Sequence, residues 1–207
     1  MIRIQFQNVL RFWFGEIGLS GLRMDAVPFM FEDEAFLDEP VSNKTSDPDD
    51  YGYLDHIYTW NLPEHYDMIQ QFNDILSEYE LIDGFDRVMM VEALSSDFTT
   101  ADLMTYYKVA DFPFNFNFVL HLNENAKAED IEREITDWLK NMPEGKTANW
   151  VLDNHDNPRV GSKVGEAYID PLNMISLLLP GVAVTYNVSE EMSEQFERKV
   201  SLSARFF

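Results

Sequence analysis

The sequence predicts an α/β fold in which short parallel strands alternate with helices. Three observations carry that expectation. Three apolar runs have strand length and each ends near an acid: Asp25 in GLRMDAV (21–27), Glu92 in RVMMVEA (87–93) and Asp156 in NWVLDNHDNPR (149–159). Stretches between them repeat their apolar residues at helical spacing. The two kinds of segment alternate along the chain, the order that builds a parallel sheet or barrel. Carboxylates beside buried runs are costly unless used, and polar groups at the carboxyl ends of parallel strands are the layout of an α/β barrel site.

The elements follow in order. Residues 8–17 place Val9, Leu10, Phe12, Trp13, Phe14 and Ile17 on a broad apolar helical face that Gly18 and Gly21 end. The first strand is expected at about 21–27, and Pro28 breaks it. Residues 32–63 are acidic and rich in turn formers, so they read as a long loop at a strand's carboxyl end, where function concentrates. Its aromatics, Phe36, Tyr51, Tyr53, Tyr58 and Trp60, argue against a disordered linker. A helix follows at 64–80 through Met68, Ile69, Phe72, Ile75, Leu76 and Tyr79, then the second strand at about 87–92 and a polar stretch. DFPFNFNFVL (111–120) alternates in part and is expected as a further strand or strand end, capped or lined by Asn115 and Asn117. An amphipathic helix spans 128–142 through Ile131, Ile135, Trp138, Leu139 and Met142. A strand at about 149–153, a short helix at 171–179 and a last strand at 180–187 complete the order, and the tail from 188 onward changes character.

Composition narrows the partners. With 207 residues and 45% hydrophobic, the chain can bury a sizeable core. Acids outnumber bases 37 to 15, a formal charge of −22, which argues against nucleic acid or an anionic membrane surface and fits a neutral substrate. Sixteen Phe, nine Tyr and four Trp suit both a packed interior and a sugar-binding cleft. There is no Cys, so thiolate catalysis and disulfides are excluded. Residues 1–14 carry Arg3, Gln5, Gln7, Asn8 and Arg11 and do not read as a signal peptide, and no run reaches transmembrane length. Asn43 and Asn187 match the N-glycosylation sequon.

Two carboxyls flanking one bond are the chemistry of glycoside hydrolysis. GLRMDAVPFMFE, MMVEAL and WVLDNHDNPRV, in this order and spacing, resemble three signature regions of the α-amylase superfamily of glycoside hydrolases. The likeness extends over residues 8–187 and is nearest to the insect maltases. It implies a partial (β/α)8 TIM barrel covering roughly the fourth to eighth strands, with residues 1–187 as the catalytic part and 188–207 as a divergent tail. It implies a retaining α-glucosidase acting on terminal α-1,4-linked glucose of maltose and oligosaccharides. By position, Asp25 is the nucleophile, Glu92 the general acid/base and Asp156 the third acid that holds sugar hydroxyls. His155 is a hydrogen-bond donor to the transition state, Arg23 pairs with Asp25, and Arg159 contacts the glucose subsite. A retaining pair is expected about 5–5.5 Å apart. Ala26, the small residue after the nucleophile, is similar to members that cleave α-1,4 links.

The chain also departs from the family. The first three strands are missing, along with part of the glucose subsite and the calcium ligands of some members, so no cofactor or metal is expected. Asp153 stands where relatives usually have Gly, and Tyr186 is followed by Asn-Val-Ser rather than the family's glycine-containing pattern. Half of an open barrel exposes strand edges, so self-association is expected. Two further readings stay open: a catalytically inactive fragment, and a non-catalytic carbohydrate- or partner-binding relative. The relatives are mostly secreted or at the gut cell surface, while this chain shows no leader to take it there. His56, His65 and His121 lack ligand spacing and read as structural.

Overall fold

The structure, a computed structural model, describes residues 2–93 and 99–186. The tail from 188 onward, the sequon at Asn187 and the stretch just after the second strand lie outside the described residues.

Helix α1, Ile2–Arg11, continues as one wide turn over Phe12–Ile17, and Gly18 closes it at φ 79°, a left-handed conformation that glycine adopts without a Cβ clash. The expected broad apolar face is narrower than the sequence suggests. Leu10 and Phe14, four apart, are buried, whereas Val9, Phe12, Trp13 and Ile17 are each about half exposed. Strand β1 is Gly21–Met24, three residues shorter than expected. It stops because Ala26 turns left-handed at φ 46° and Val27–Phe29 forms a tight turn with Pro28 in its second position. A Cβ on Gly21 would lie 2.7 Å from the Val88 carbonyl oxygen, so the start of β1 approaches its neighbour as only glycine allows.

The segment 32–63 is a folded loop. Val41 and Leu54 form one antiparallel bridge, and the Glu39 carboxylate accepts from the Tyr58 amide at 3.0 Å and from the Thr59 hydroxyl at 2.7 Å. Tyr51 stacks on His56 with ring centroids 3.9 Å apart. Helix α2, Glu64–Asp83, buries Met68, Ile69, Phe72, Ile75 and Leu76, the stripe its periodicity predicts. Strand β2 is Val88–Val91. A short helix α3, Thr100–Leu103, starts on a reciprocal cap between Thr99 and Asp102 and runs on as a turn to Lys108.

Strand β3 is only Phe112–Pro113. The rest of the expected strand turns into helix α4, Asn117–His121, because the Asn115 side chain accepts the Asn117 amide at 3.1 Å and opens a helical turn. Phe114, Phe116 and Phe118 are all buried, so their alternation reflects packing around a turn rather than two strand faces. Helix α5, Ala128–Asn141, buries Trp138. Strand β4, Asn149–Val151, helix α6, Val160–Val164, helix α7, Ile169–Leu178, and strand β5, Val182–Val184, follow. On α7, Met174, Leu177 and Leu178 are exposed.

The described strands are all parallel. They form one sheet in the order β1-β2-β3 and a second of β4 and β5. The buried Asn149 side chain joins the two, its Nδ2 donating to the Pro113 carbonyl at 2.7 Å while its Oδ1 accepts the Asn115 amide at 2.8 Å. Two large cores result. Leu10, Phe14, Ile69, Leu76, Met89, Val91 and Tyr106 belong to the first. Tyr107, Phe112, Leu122, Trp138, Trp150 and Leu172 belong to the second. No helix among the described residues is long and apolar enough to cross a membrane.

Candidate active site

The register of β1 and β2 builds the site. Arg23 lies opposite Met90 and Met24 opposite Val91. Beyond the strands the pairing continues, with the Glu92 amide donating to the Met24 carbonyl at 2.8 Å and the Val27 amide donating to the Glu92 carbonyl at 3.0 Å. That brings Asp25 level with Glu92 at the carboxyl ends of two neighbouring strands. Arg23 and Asp25, two apart, share one face. One guanidinium nitrogen of Arg23 sits 2.7 Å from an Asp25 oxygen and 2.7 Å from a Glu92 oxygen. The Arg23 guanidinium also lies 5.4 Å from the centre of the Phe114 ring.

The three acids are not equally buried. The Glu92 side chain is 12% exposed, but Asp25 is 66% and Asp156 54% exposed. Glu92 alone is buried among the three acids; Asp25 and Asp156 stand on turns beyond the ends of β1 and β4. Burial drives the Glu92 carboxyl up to about 7, and the adjacent Asp25 adds to the rise through a hydrogen bond and its charge. Asp156 pushes the same way and Arg23 opposes. Asp25 moves the other way: the hydrogen bond with Glu92 and the charges of Arg23 and His155 hold it below the usual carboxylate range. Such a pair carries one proton on Glu92 and a charge on Asp25.

The loop after β4 supplies the rest. His155 Nε2 is 3.4 Å from an Asp156 oxygen, and its ring centre is 6.4 Å from that of Tyr186. Arg159 donates to the Asn154 carbonyl at 3.2 Å and lies 4.2 Å from the Tyr186 ring centre. Asp156 and His155 are near enough to act on Glu92 and Asp25 through their charges, so the structure brings both strand-end loops to one place. Phe114 and Tyr186 were not singled out for the site from sequence, because each meets its arginine across elements distant in the chain. His65 is fully buried against Tyr66 and Tyr106, and His121 pairs with Glu134 at 2.9 Å.

A parallel α/β protein with one protonated and one ionised carboxyl under a shared arginine has the construction of an acid–base hydrolytic centre. The chain matches the alpha-amylase catalytic domain over residues 1–201, and it belongs to that family. It is 44% identical to Maltase 1 of Drosophila virilis over 94% of this chain and 31% of that protein. It is 40% identical to the salivary alpha-glucosidase of Anopheles gambiae over 88% of this chain and 32% of that protein. Among solved structures it is similar to an alpha-glucosyl transfer enzyme, with a TM-score of 0.67 and 23% identity over 88% of this chain and 35% of that one. The chain thus spans about a third of the length of these relatives.

Proposed function

We propose that the chain carries the catalytic centre of a retaining α-glucosidase that releases terminal glucose from maltose and related α-1,4-linked oligosaccharides. The observation that carries the reading is the split pair: Glu92 protonated up to about 7 beside an Asp25 held ionised, both at 2.7 Å from Arg23. In this reading Asp25 attacks the anomeric carbon and forms a covalent glycosyl-enzyme while Glu92 gives its proton to the leaving oxygen. Glu92, now charged, takes a proton from water, which displaces Asp25 and restores the original configuration. Asp156 holds sugar hydroxyls, His155 donates to the transition state, and Arg159 contacts the glucose ring with Tyr186 behind it. Ala26 supports the α-1,4 preference. No metal or cofactor takes part in these steps.

The strand pattern supports an assignment of β1 to β5 as the fourth to eighth strands of a (β/α)8 barrel, with 32–63 as the loop over the active face. The half-exposed apolar side chains of α1 and the exposed ones of α7 support self-association of this 207-residue chain. A relative named as salivary supports a secreted setting.

The deciding experiment is glucose release from maltose by the 207-residue chain, with Asp25→Asn as control. Turnover that disappears in the variant is the expected result. Turnover that persists would remove Asp25 from its role, and a folded chain that releases nothing would favour the non-catalytic reading.

A further inference from the structure

Two neighbouring side chains organise the loop that carries His155, Asp156 and Arg159. Asn154 works from within. It is buried, and its Oδ1 accepts the Asp156 amide at 3.1 Å, the Asn157 amide at 3.0 Å and the Asn157 side-chain amide at 3.0 Å. Asp153 works from outside the turn. Its Oδ1 accepts the Val160 amide, seven residues on, at 2.6 Å. Val160 is the first residue of α6, where a backbone N–H has no partner within the helix.

That one bond joins the residue before the loop to the residue after it, and so closes 153–160 into a ring. The ring is anchored at both ends. Asp153 continues directly from β4 through the buried Leu152. On the other side, the Lys163 ammonium of α6 donates to the Val119 carbonyl of α4. Burial pushes the Asp153 carboxyl up from its ordinary value, and the Val160 amide and the charges of Arg159 and Lys163 pull against that rise. His155, Asp156 and Arg159 all lie inside the ring, and none of them makes the closure itself.

We infer that Asp153 is a positioning residue: by accepting the Val160 amide it sets the height and tilt of the loop that presents His155, Asp156 and Arg159 to the Asp25–Glu92 pair. Without the acceptor, the remaining ties, the Asn154 turn and the Arg159 bond to the Asn154 carbonyl, lie within the loop and leave it free to pivot relative to α6. A misplacement of about 1 Å in such a group costs on the order of a hundredfold in rate. The consequence for turnover rests on the glucosidase reading; the ring closure does not.

The test compares Asp153→Ala, Asp153→Asn and Asp153→Glu in the 207-residue chain. Three properties are read: hydrogen exchange of the Val160 amide, the His155 ring signal by NMR, and kinetics on maltose. Asp153→Ala should speed Val160 exchange by about tenfold or more and shift or broaden the His155 signal, with a drop in kcat of about tenfold to a hundredfold. Asp153→Asn retains an oxygen acceptor and should restore all three toward the parent. Asp153→Glu keeps the charge but moves the oxygen outward, so it should shift His155 with the melt unchanged; it serves where the alanine variant folds poorly. Parent-like Val160 exchange and His155 signal in Asp153→Ala overturn the inference, as does an asparagine variant that behaves like alanine. Failure of the parent and every variant to release glucose counts against the glucosidase reading, and the exchange and NMR results then decide the role of Asp153.

Discussion

Glu92 and His65 are titratable groups that the fold moves in opposite directions of stability. Burial raises the Glu92 carboxyl to about 7 from an ordinary value near 4.5, so the native state binds its proton more tightly than the unfolded chain. Its stabilising contribution is full below about 4.5 and is lost as pH rises through about 7. The same proton serves as the acid in the proposed reaction, so kcat/KM on maltose should fall as pH rises through about 7. Glu92→Gln should lose roughly 10²- to 10⁴-fold on maltose and much less on a nitrophenyl α-glucoside, whose leaving group needs no proton. Equal losses on both substrates would take the acid role away from Glu92. His65 is lowered by burial; its Nδ1 meets the Leu62 carbonyl at 2.5 Å and its Nε2 has no hydrogen-bond partner. Stability from a neutral His65 is full above its ordinary value of 6.5 and is lost as pH falls below it. Thermal melts should therefore weaken as pH falls below about 6.5, and His65→Phe should flatten that slope. A slope unchanged in the variant would assign the acid sensitivity to other groups.

At the level of elements, Asn149 replaces a strand ladder between β3 and β4 with two side-chain bonds. Asn149→Ala leaves a buried amide and a buried carbonyl unpaired, so it should cost about 2–4 kcal/mol in urea unfolding. A loss under about 0.5 kcal/mol would mean that the strands are held by their side-chain packing alone. Asn149 also shows where sequence reading stops. Helix α2 and helix α5 were legible because their apolar residues repeat with a period of 3.6 over many turns. The run FPFNFNFVL was not, since alternation over a few residues cannot distinguish a strand from a turn whose rings all point into a core; the Asn115 side-chain turn decides, and that is a local bond rather than a period. The face of α1 failed for a related reason, because the wide turn at Phe12–Ile17 changes the angle between successive residues. Within the site, the Arg23–Asp25 contact was legible from its spacing of two, whereas Phe114, Tyr186 and the closure by Asp153 depend on which elements the fold brings together.

For the whole molecule, a formal charge of −22 opposes both compaction and the meeting of two copies. Raising ionic strength from about 0.01 to 0.15 M shortens the screening distance from about 30 Å to about 8 Å. Sedimentation should then show larger species at the higher salt, driven by the apolar faces of α1 and α7; a monomer at both would refute self-association. The internal divisions of the chain point to how it comes apart. The break in backbone hydrogen bonding falls between β3 and β4, whereas the two large cores interleave just before β3, Tyr106 and Ala110 belonging to the first and Met104 and Tyr107 to the second. Strand β3 is thus laddered to one half and packed, through Phe112, into the other. Neither half can leave without tearing one of the two bonds to β3, which acts as a dovetail. Unfolding should accordingly be a single cooperative event, with far-ultraviolet dichroism and the fluorescence of the buried Trp138 and Trp150 changing together.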